Sequence, residues 1–328
     1  MQGKIALEEH FAYQAPDADI ERRLQHAESW IETSRRLMDF HDDRLRDMDE
    51  FGVEYAILSL NAPAVQGVLD PKEAAEDARR YNDFLAEEVA RRPDRFGGFA
   101  TLPMQDPEAA AEELARSVKD LGFPGALVNG FTQRDVSDSV IYYDIPEYRP
   151  FWGVVAELDV PFYLHPRTIV RERAQPYDGH PWLYSSGWGF AVETSLHMLR
   201  LIGSCLFDEF PGLQVVLGHL GERIPFDMWR LDNRIARVPH GFPAKHPMSH
   251  YLRNNVHVTT SGNFSDPALR CTVSEMGVDR LMFAIDYPME VMNAGAEWFD
   301  GTPVLSDEER RKVGRTNAAK LFKLERFL

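Results

Sequence analysis

Eight short apolar runs, at positions 5–7, 55–60, 96–102, 126–128, 160–164, 213–217, 256–259 and 281–285, are spread along the whole chain. Each is continuously apolar instead of alternating, as a strand covered on both faces of a parallel sheet should be. Between them lie longer amphipathic stretches, at 39–50, 71–91, 107–120, 148–158, 190–210, 224–235 and 267–276, which read as helices. Several have marked ends: Asp106-Pro107 sets a capping side chain before a first-turn proline, Gly52 and Gly122 follow helical patterns, and Pro211-Gly212 closes another. Strands alternating with helices in this number specify an α/β fold, either a closed (β/α)8 barrel or a long doubly wound sheet. Glu8-Glu9-His10 stands where a glycine-rich dinucleotide fingerprint would follow the first strand, which favours the TIM barrel.

The 328 residues exceed the roughly 250 of a typical barrel and are read as a single domain, 1–328. The excess falls in inserted loops at 12–38, 132–143 and 168–189, all after strand ends and so at the C-terminal face. The last is rich in Trp, Tyr, Gly and Pro, a composition suited to a lid over a flat, mostly apolar ligand; surface decoration or subunit contact is the alternative.

A formal charge of -16 and a pI near 5.1 exclude a nucleic-acid polyanion as the expected partner and favour a small molecule. Cys205 and Cys271 match no metal-ligand spacing and read as buried free thiols in helices. No apolar signal core opens the sequence and no stretch approaches a membrane span, so the expected location is the cytoplasm, with no membrane partner.

Polar residues interrupt the ends of the apolar runs in a pattern that points to chemistry. The first run leads into Glu8 and His10, two residues apart and therefore on one side of an extended chain. The fifth ends in His165, the sixth in His219 with Glu222 close behind, and the eighth in Asp286. A barrel gathers such ends at one rim, where imidazoles and carboxylates suit a catalytic Zn, Mn or Fe with an open coordination position. The other histidines have plainer readings: His26, His41 and His197 fall in helical patterns, His240, His246 and His250 in a proline-containing loop, and His257 inside a strand. His180, in a Gly-His-Pro-Trp context, is a candidate for substrate contact.

The segments Lys4-Ile5-Ala6-Leu7-Glu8-Glu9-His10-Phe11, Leu58-Ser59-Leu60-Asn61-Ala62-Pro63, Pro161-Phe162-Tyr163-Leu164-His165-Pro166-Arg167, Leu217-Gly218-His219-Leu220-Gly221-Glu222 and Thr260-Ser261-Gly262-Asn263-Phe264 carry a resemblance that spans nearly the whole chain. It is to the aromatic-acid decarboxylase branch of the amidohydrolase superfamily, which acts on γ-resorcylate, 2,3-dihydroxybenzoate and 5-carboxyvanillate. The resemblance implies one divalent metal ion, manganese or zinc with magnesium a third candidate, held by Glu8, His10, His165 and Asp286, and no organic cofactor. His219 would sit beside the metal, oriented by Glu222. Asn129 ends the fourth run where binuclear amidohydrolases carry a bridging lysine, so the site should hold one ion. His10 is shared with the γ-resorcylate enzymes, whereas Asp286-Tyr287-Pro288 and Glu297-Trp298-Phe299-Asp300 are more similar to the 2,3-dihydroxybenzoate group. Met289 stands where related enzymes often place Phe, and with Asn61, His180 and Arg230 it completes the expected substrate contacts.

The expected reaction is therefore metal-dependent, reversible, non-oxidative decarboxylation of a small aromatic hydroxy acid, an ortho-hydroxybenzoate such as 2,6- or 2,3-dihydroxybenzoate. Direct loss of CO2 would leave an unstable aryl carbanion, so the ring must first be protonated, a role given to Asp286. A metal-dependent hydrolase of the same superfamily and a non-catalytic binding protein on the same barrel are the competing readings. The resemblance also implies a homodimer or homotetramer.

Overall fold

A computed structural model of the chain describes residues 1–14 and 27–328; His26 and residues 15–26 of the first inserted segment lie outside them. In chain order the strands are β1 (Lys4–Phe11), β2 (Val53–Leu60), β3 (Phe96–Gly98), β4 (Ala126–Asn129), β5 (Thr132–Arg134), β6 (Val136–Ile141), β7 (Phe162–His165), β8 (Val215–Leu217), β9 (Val256–Thr259) and β10 (Leu281–Met282). Two parallel sheets, β1-β2-β3 and β10-β9-β8-β7-β4, share no named strand. Isolated parallel bridges, Ala100 to Ala126 and Glu9 to Tyr287, join them at both edges and complete the (β/α)8 ring. The eight strands expected from the apolar runs are all present in this ring: β1, β2 and β4 extend past their runs, β9 matches its run, and β3, β7, β8 and β10 are shorter.

Ile5, Leu7, Tyr55, Ile57, Phe99, Leu127, Tyr163, Val216, Met282 and Ala284 fill the interior, and Ala318, Ala319, Phe322 and Phe327 cover its lower end. Ala6, Ala56, Leu58, Val128, Leu164 and Val258 belong to the larger outer core under the helices. Strands with apolar residues on both sides have to be buried on both sides, which is why the runs do not alternate.

Helix ends follow the sequence signals where a side chain makes the cap. Asp106 accepts from the backbone N–H groups of Glu108 and Ala109 at 3.0 and 3.3 Å, with Pro107 in the first turn. Gly52 and Gly122 have φ of 70° and 71°. The expected helix over 190–210 is instead two, Gly189–Gly203 and Leu206–Glu209, because Cys205 adopts φ 63° between them. Cys205 and Cys271 are free thiols but half-buried, where full burial was expected.

Of the inserted loops, 12–38 contains the helix Ala27–Leu37, 132–143 contains the antiparallel pair β5 and β6, and 168–189 contains three 3-10 turns. Among the described residues no helix is long and apolar enough to cross a membrane.

Candidate metal centre

The pairing of β1 with β2 is irregular between Ala6 and Glu9. Ile5 and Leu7 point inward and Ala6 outward; within the shift Glu8 follows Leu7 to the same side, and His10 joins Glu8 in the interior. A bulge re-aims the side chains that follow it, and here it delivers two polar groups to the barrel mouth. Glu9, left on the other side, accepts from the backbone N–H groups of Ile285 and Tyr287 at 3.0 and 3.3 Å. It thereby grips the chain on both sides of Asp286, while Asp286 N–H donates to the Glu8 carbonyl at 3.0 Å. Burial pushes the Glu9 carboxyl up to about 8, against the pull of these N–H groups and Arg44.

Glu8, His10, His165 and Asp286 bring one potential ligand atom each into a group whose members all lie within 4.8 Å of one another. His10 Nε2 is 3.1 Å from Asp286 Oδ1, and His165 Nε2 is 3.2 Å from Glu8 Oε1. The far nitrogens are occupied: His10 Nδ1 meets Ser59 Oγ at 3.0 Å and His165 Nδ1 meets Asn129 Oδ1 at 2.8 Å. Asn129 can only accept at that oxygen, so Nδ1 of His165 carries the proton and Nε2 is left as a lone-pair donor. The second oxygen of Glu8 accepts from Tyr163 Oη, from Ser261 Oγ at 2.5 Å and from Thr259 Oγ1 at 3.3 Å.

His219 sits at 3.7 Å from Glu8 Oε1 and 3.6 Å from Asp286 Oδ2, and its Nδ1 hydrogen-bonds Glu222 Oε1 at 2.7 Å. The chain makes this pairing with an unusual turn, since His219, Leu220, Gly221, Glu222 and Arg223 all have positive φ, between 51° and 88°. Left-handed residues other than glycine each cost about 1–2 kcal/mol. The turn is held by Ser261 Oγ, which accepts from His219 N–H at 3.0 Å, and by Thr272 Oγ1, which donates to the Leu220 carbonyl at 3.2 Å. Strain maintained by surrounding contacts is a mark of functional segments.

Electrostatics follow from this crowding. Burial opposes ionisation of Glu8, yet His219, His165 and His10 outweigh it and hold the carboxyl well below the usual range. Burial likewise disfavours the His219 imidazolium, but Glu222, Glu8 and Asp286 outweigh it and push the group well above an ordinary histidine. Asp286 is lowered, with burial overcome by the His10 and His219 imidazoles beside it. Burial lowers His165.

The donor set fits a divalent cation. Glu8 Oε1 and His10 Nε2 are buried with no hydrogen-bond partner, and both face the group. Unpaired buried polar atoms are costly, and two pointing at one place are what a metal would satisfy. Nitrogen and carboxylate oxygen together suit manganese or zinc.

The group opens into a cavity of about 790 Å³, with Leu60, Ala62, Pro63, Val65, Trp30 and Phe190 among its apolar walls. Asn61 and Met289, two of the four residues expected to contact substrate, line it too, beside His165, His219 and Asp286. The other two are not among its described lining residues. His180 is exposed on the 168–189 loop with its ring 5.2 Å from Trp182, and Arg230 is exposed on the helix Ile224–Arg237 beside a separate surface depression. Both were placed by motif context, which carries no information about the direction of a side chain on a helix or long loop. The sequence reading also did not single out Glu9, Ser59, Tyr163, Thr259 or Ser261, whose only signal was a polar side chain close to a strand end. His257 is structural as expected, hydrogen-bonded to the Arg280 guanidinium at 2.9 Å, and His41 bonds Glu88 at 2.7 Å.

Comparison with known proteins agrees with this geometry. The gamma-resorcylate decarboxylase of Rhodococcus jostii (strain RHA1) is 54% identical over 331 residues, covering 99% of this chain and 100% of that one. A crystal structure of a 2,6-dihydroxybenzoate decarboxylase complexed with 2,6-dihydroxybenzoate is 52% identical, superposes with a TM-score of 0.95, and covers 98% and 100% of the two chains. A dihydroxybenzoic acid decarboxylase from Polaromonas sp. JS666, with bound manganese and the inhibitor 2-nitroresorcinol, is 51% identical with a TM-score of 0.95 and coverage of 99% and 98%. Residues 10–324 match the amidohydrolase family, and with the barrel and its rim of histidines and carboxylates in place, the chain belongs to that family.

Proposed function

We propose that this protein catalyses the metal-dependent, non-oxidative and reversible decarboxylation of γ-resorcylate, 2,6-dihydroxybenzoate, to resorcinol and CO2. The observation that carries the reading is the group Glu8, His10, His165 and Asp286 at the floor of an apolar cavity, in a chain about half identical to decarboxylases of that compound. That identity also favours 2,6-dihydroxybenzoate over the 2,3-isomer, between which the sequence motifs were divided.

In this reading Glu8, His10, His165 and Asp286 hold one divalent ion, manganese or zinc. When bound, the ion supplies Lewis acidity and a template for the substrate carboxylate and its neighbouring phenolic oxygen. Asp286 takes the ortho hydroxyl proton and delivers it to the ring carbon bearing the carboxylate. The carbon–carbon bond then breaks, its electron pair returns to the ring, CO2 leaves, and the product phenolate takes up a proton from water. The His219 imidazolium, held by Glu222, stabilises the Asp286 carboxylate between proton transfers. The apolar walls exclude water and fix the plane of the ring, which favours reaction from a single orientation.

Around this chemistry we place one domain, 1–328, acting in the cytoplasm as a homodimer or homotetramer. Exposure of Trp182, Phe226 and Trp229 at 67%, 81% and 72% supports a subunit contact. The decisive experiment incubates manganese-loaded protein with 2,6-dihydroxybenzoate, 2,3-dihydroxybenzoate and 5-carboxyvanillate while CO2 and product are measured. Resorcinol and CO2 from the first substrate are expected; a hydrolysed fragment, or no CO2 from any of them, overturns the proposal. Light scattering on the same sample checks the assembly, a monomer being the result against it.

A further inference from the structure

Arg167 follows His165 by two residues at the end of β7 and lines the same cavity. Its side chain is 6% exposed, yet among the described residues its guanidinium pairs with no carboxylate. Nη1 donates to the carbonyls of Gln66 and Phe131 at 2.9 and 3.1 Å, and Nη2 to Gln133 Oε1 at 2.7 Å. Nε is buried without a partner, and the guanidinium lies 4.4 Å from the centre of the Phe131 ring. Glu193, the acidic group whose field reaches it, is engaged by the Tyr142 hydroxyl.

A buried cation is ordinarily paired, because neutral acceptors replace the hydrogen bonds of water without cancelling the charge. Carbonyls and an amide hold Arg167 in place, and its positive potential is left to act on whatever enters the cavity. Gly130 belongs to this arrangement: its φ is 64°, and a Cβ there would lie 2.7 Å from Arg167 Cγ, so the chain leaves room for the stem.

We propose that Arg167 is a specificity-determining residue that makes the cavity select anionic over neutral aromatic ligands. It acts through its field on the carboxylate and need not touch it, because Nη1 and Nη2 are held by Gln66, Phe131 and Gln133. That the anion is a hydroxybenzoate rests on the function proposed above; the charge preference does not.

The test measures, by calorimetry on manganese-loaded protein, the affinities of 2,6-dihydroxybenzoate and of its neutral counterpart 2,6-dihydroxybenzamide. Arg167→Gln should lower the ratio of anion to amide affinity by about tenfold, the weight of one interaction with a charged group. Arg167→Lys, which keeps the charge but breaks the fork of hydrogen bonds, should hold the ratio within about threefold of the parent. Gln133→Glu keeps Arg167 and sets a carboxylate against Nη2, in exchange for the bond that Gln133 Nε2 donates to the Ser137 carbonyl, and should lower the ratio as Arg167→Gln does. An unchanged ratio in Gln133→Glu, or equal losses in Arg167→Lys and Arg167→Gln, overturns the proposal. Wild-type protein that keeps the ratio but releases no CO2 would instead sink the decarboxylase reading and leave this one standing.

Discussion

Ser261 offers a sharp test of how the rim is held together, because its one hydroxyl ties Glu8 to the turn that carries His219. Its Oγ donates to Glu8 Oε2 at 2.5 Å and accepts from the backbone N–H of His219 at 3.0 Å. Ser261→Ala removes one hydrogen bond to an ionised carboxylate, worth about 1.5–3 kcal/mol, and strips a part-buried N–H of its acceptor, a further loss of about 1 kcal/mol. Two hydroxyls, from Tyr163 and Thr259, still hold Glu8 Oε2, so the carboxylate is loosened without being freed. Loss of a single outer contact of this kind typically weakens metal binding by about 10–100-fold, which at 1.4 kcal/mol per decade is about 1.4–2.8 kcal/mol and agrees with the lower part of the hydrogen-bond figure. Manganese affinity can be read by competition with a chelator, alongside melting in excess chelator to separate stability from binding. A Ser261→Ala protein that binds manganese within about twofold of the parent would refute the reasoning, since Glu8 would then not depend on its hydroxyl cradle.

Four further outcomes are expected. Exhaustive chelation should abolish CO2 release, and added manganese or zinc should restore it; Glu8→Gln should resist that rescue, with metal content measured by atomic absorption. Gly218→Ala should leave an intact fold but reduce kcat at least about tenfold, because its Cβ would lie 2.6 Å from Glu8 Oε2 and displace the carboxylate, and misplacement of a reacting group by about 1 Å can cost 10²-fold. Asp106→Ala should lower stability by about 1 kcal/mol, seen in chemical denaturation, with activity unaffected. Acid should destabilise the fold through His197 and His257, which burial lowers to about 3. Below pH 6.5 the unfolded chain takes up protons that these folded imidazoles refuse, so stability falls as pH drops from about 6.5 towards 3, by at most about 5 kcal/mol each. His257→Gln should flatten the melting temperature across that window, and an unaltered slope would count against the assignment.

The barrel was legible because its strands are apolar on both faces, a pattern that few folds other than parallel α/β can bury. The ligand group was legible for a related reason: a charged or imidazole side chain directly after an apolar run has nowhere to go but the rim. Arg230 and His180 lay beyond the reach of that logic, since a helix or a long loop can turn a side chain to any side and only packing decides which. The break at Cys205 was hidden as well, because nothing in the local composition marks a left-handed residue there. Ser261, Thr259 and Tyr163 are neutral residues common in any strand, and their convergence on one carboxylate oxygen is a property of three strands meeting, not of any one of them.

The irregular pairing of β1 between Ala6 and Glu9 has a consequence for how this centre can vary. Were the first strand regular from end to end, the parity of Ile5 and Leu7 would continue through Glu9 and Phe11, and a carboxylate and a phenyl ring would look into the mouth in place of a carboxylate and an imidazole. Forcing the strand to pair regularly at its present length, with no change to any ligand, should therefore dismantle the centre as thoroughly as replacing His10 itself, whereas removing Leu7 would absorb the irregularity and leave Glu8 and His10 facing the mouth.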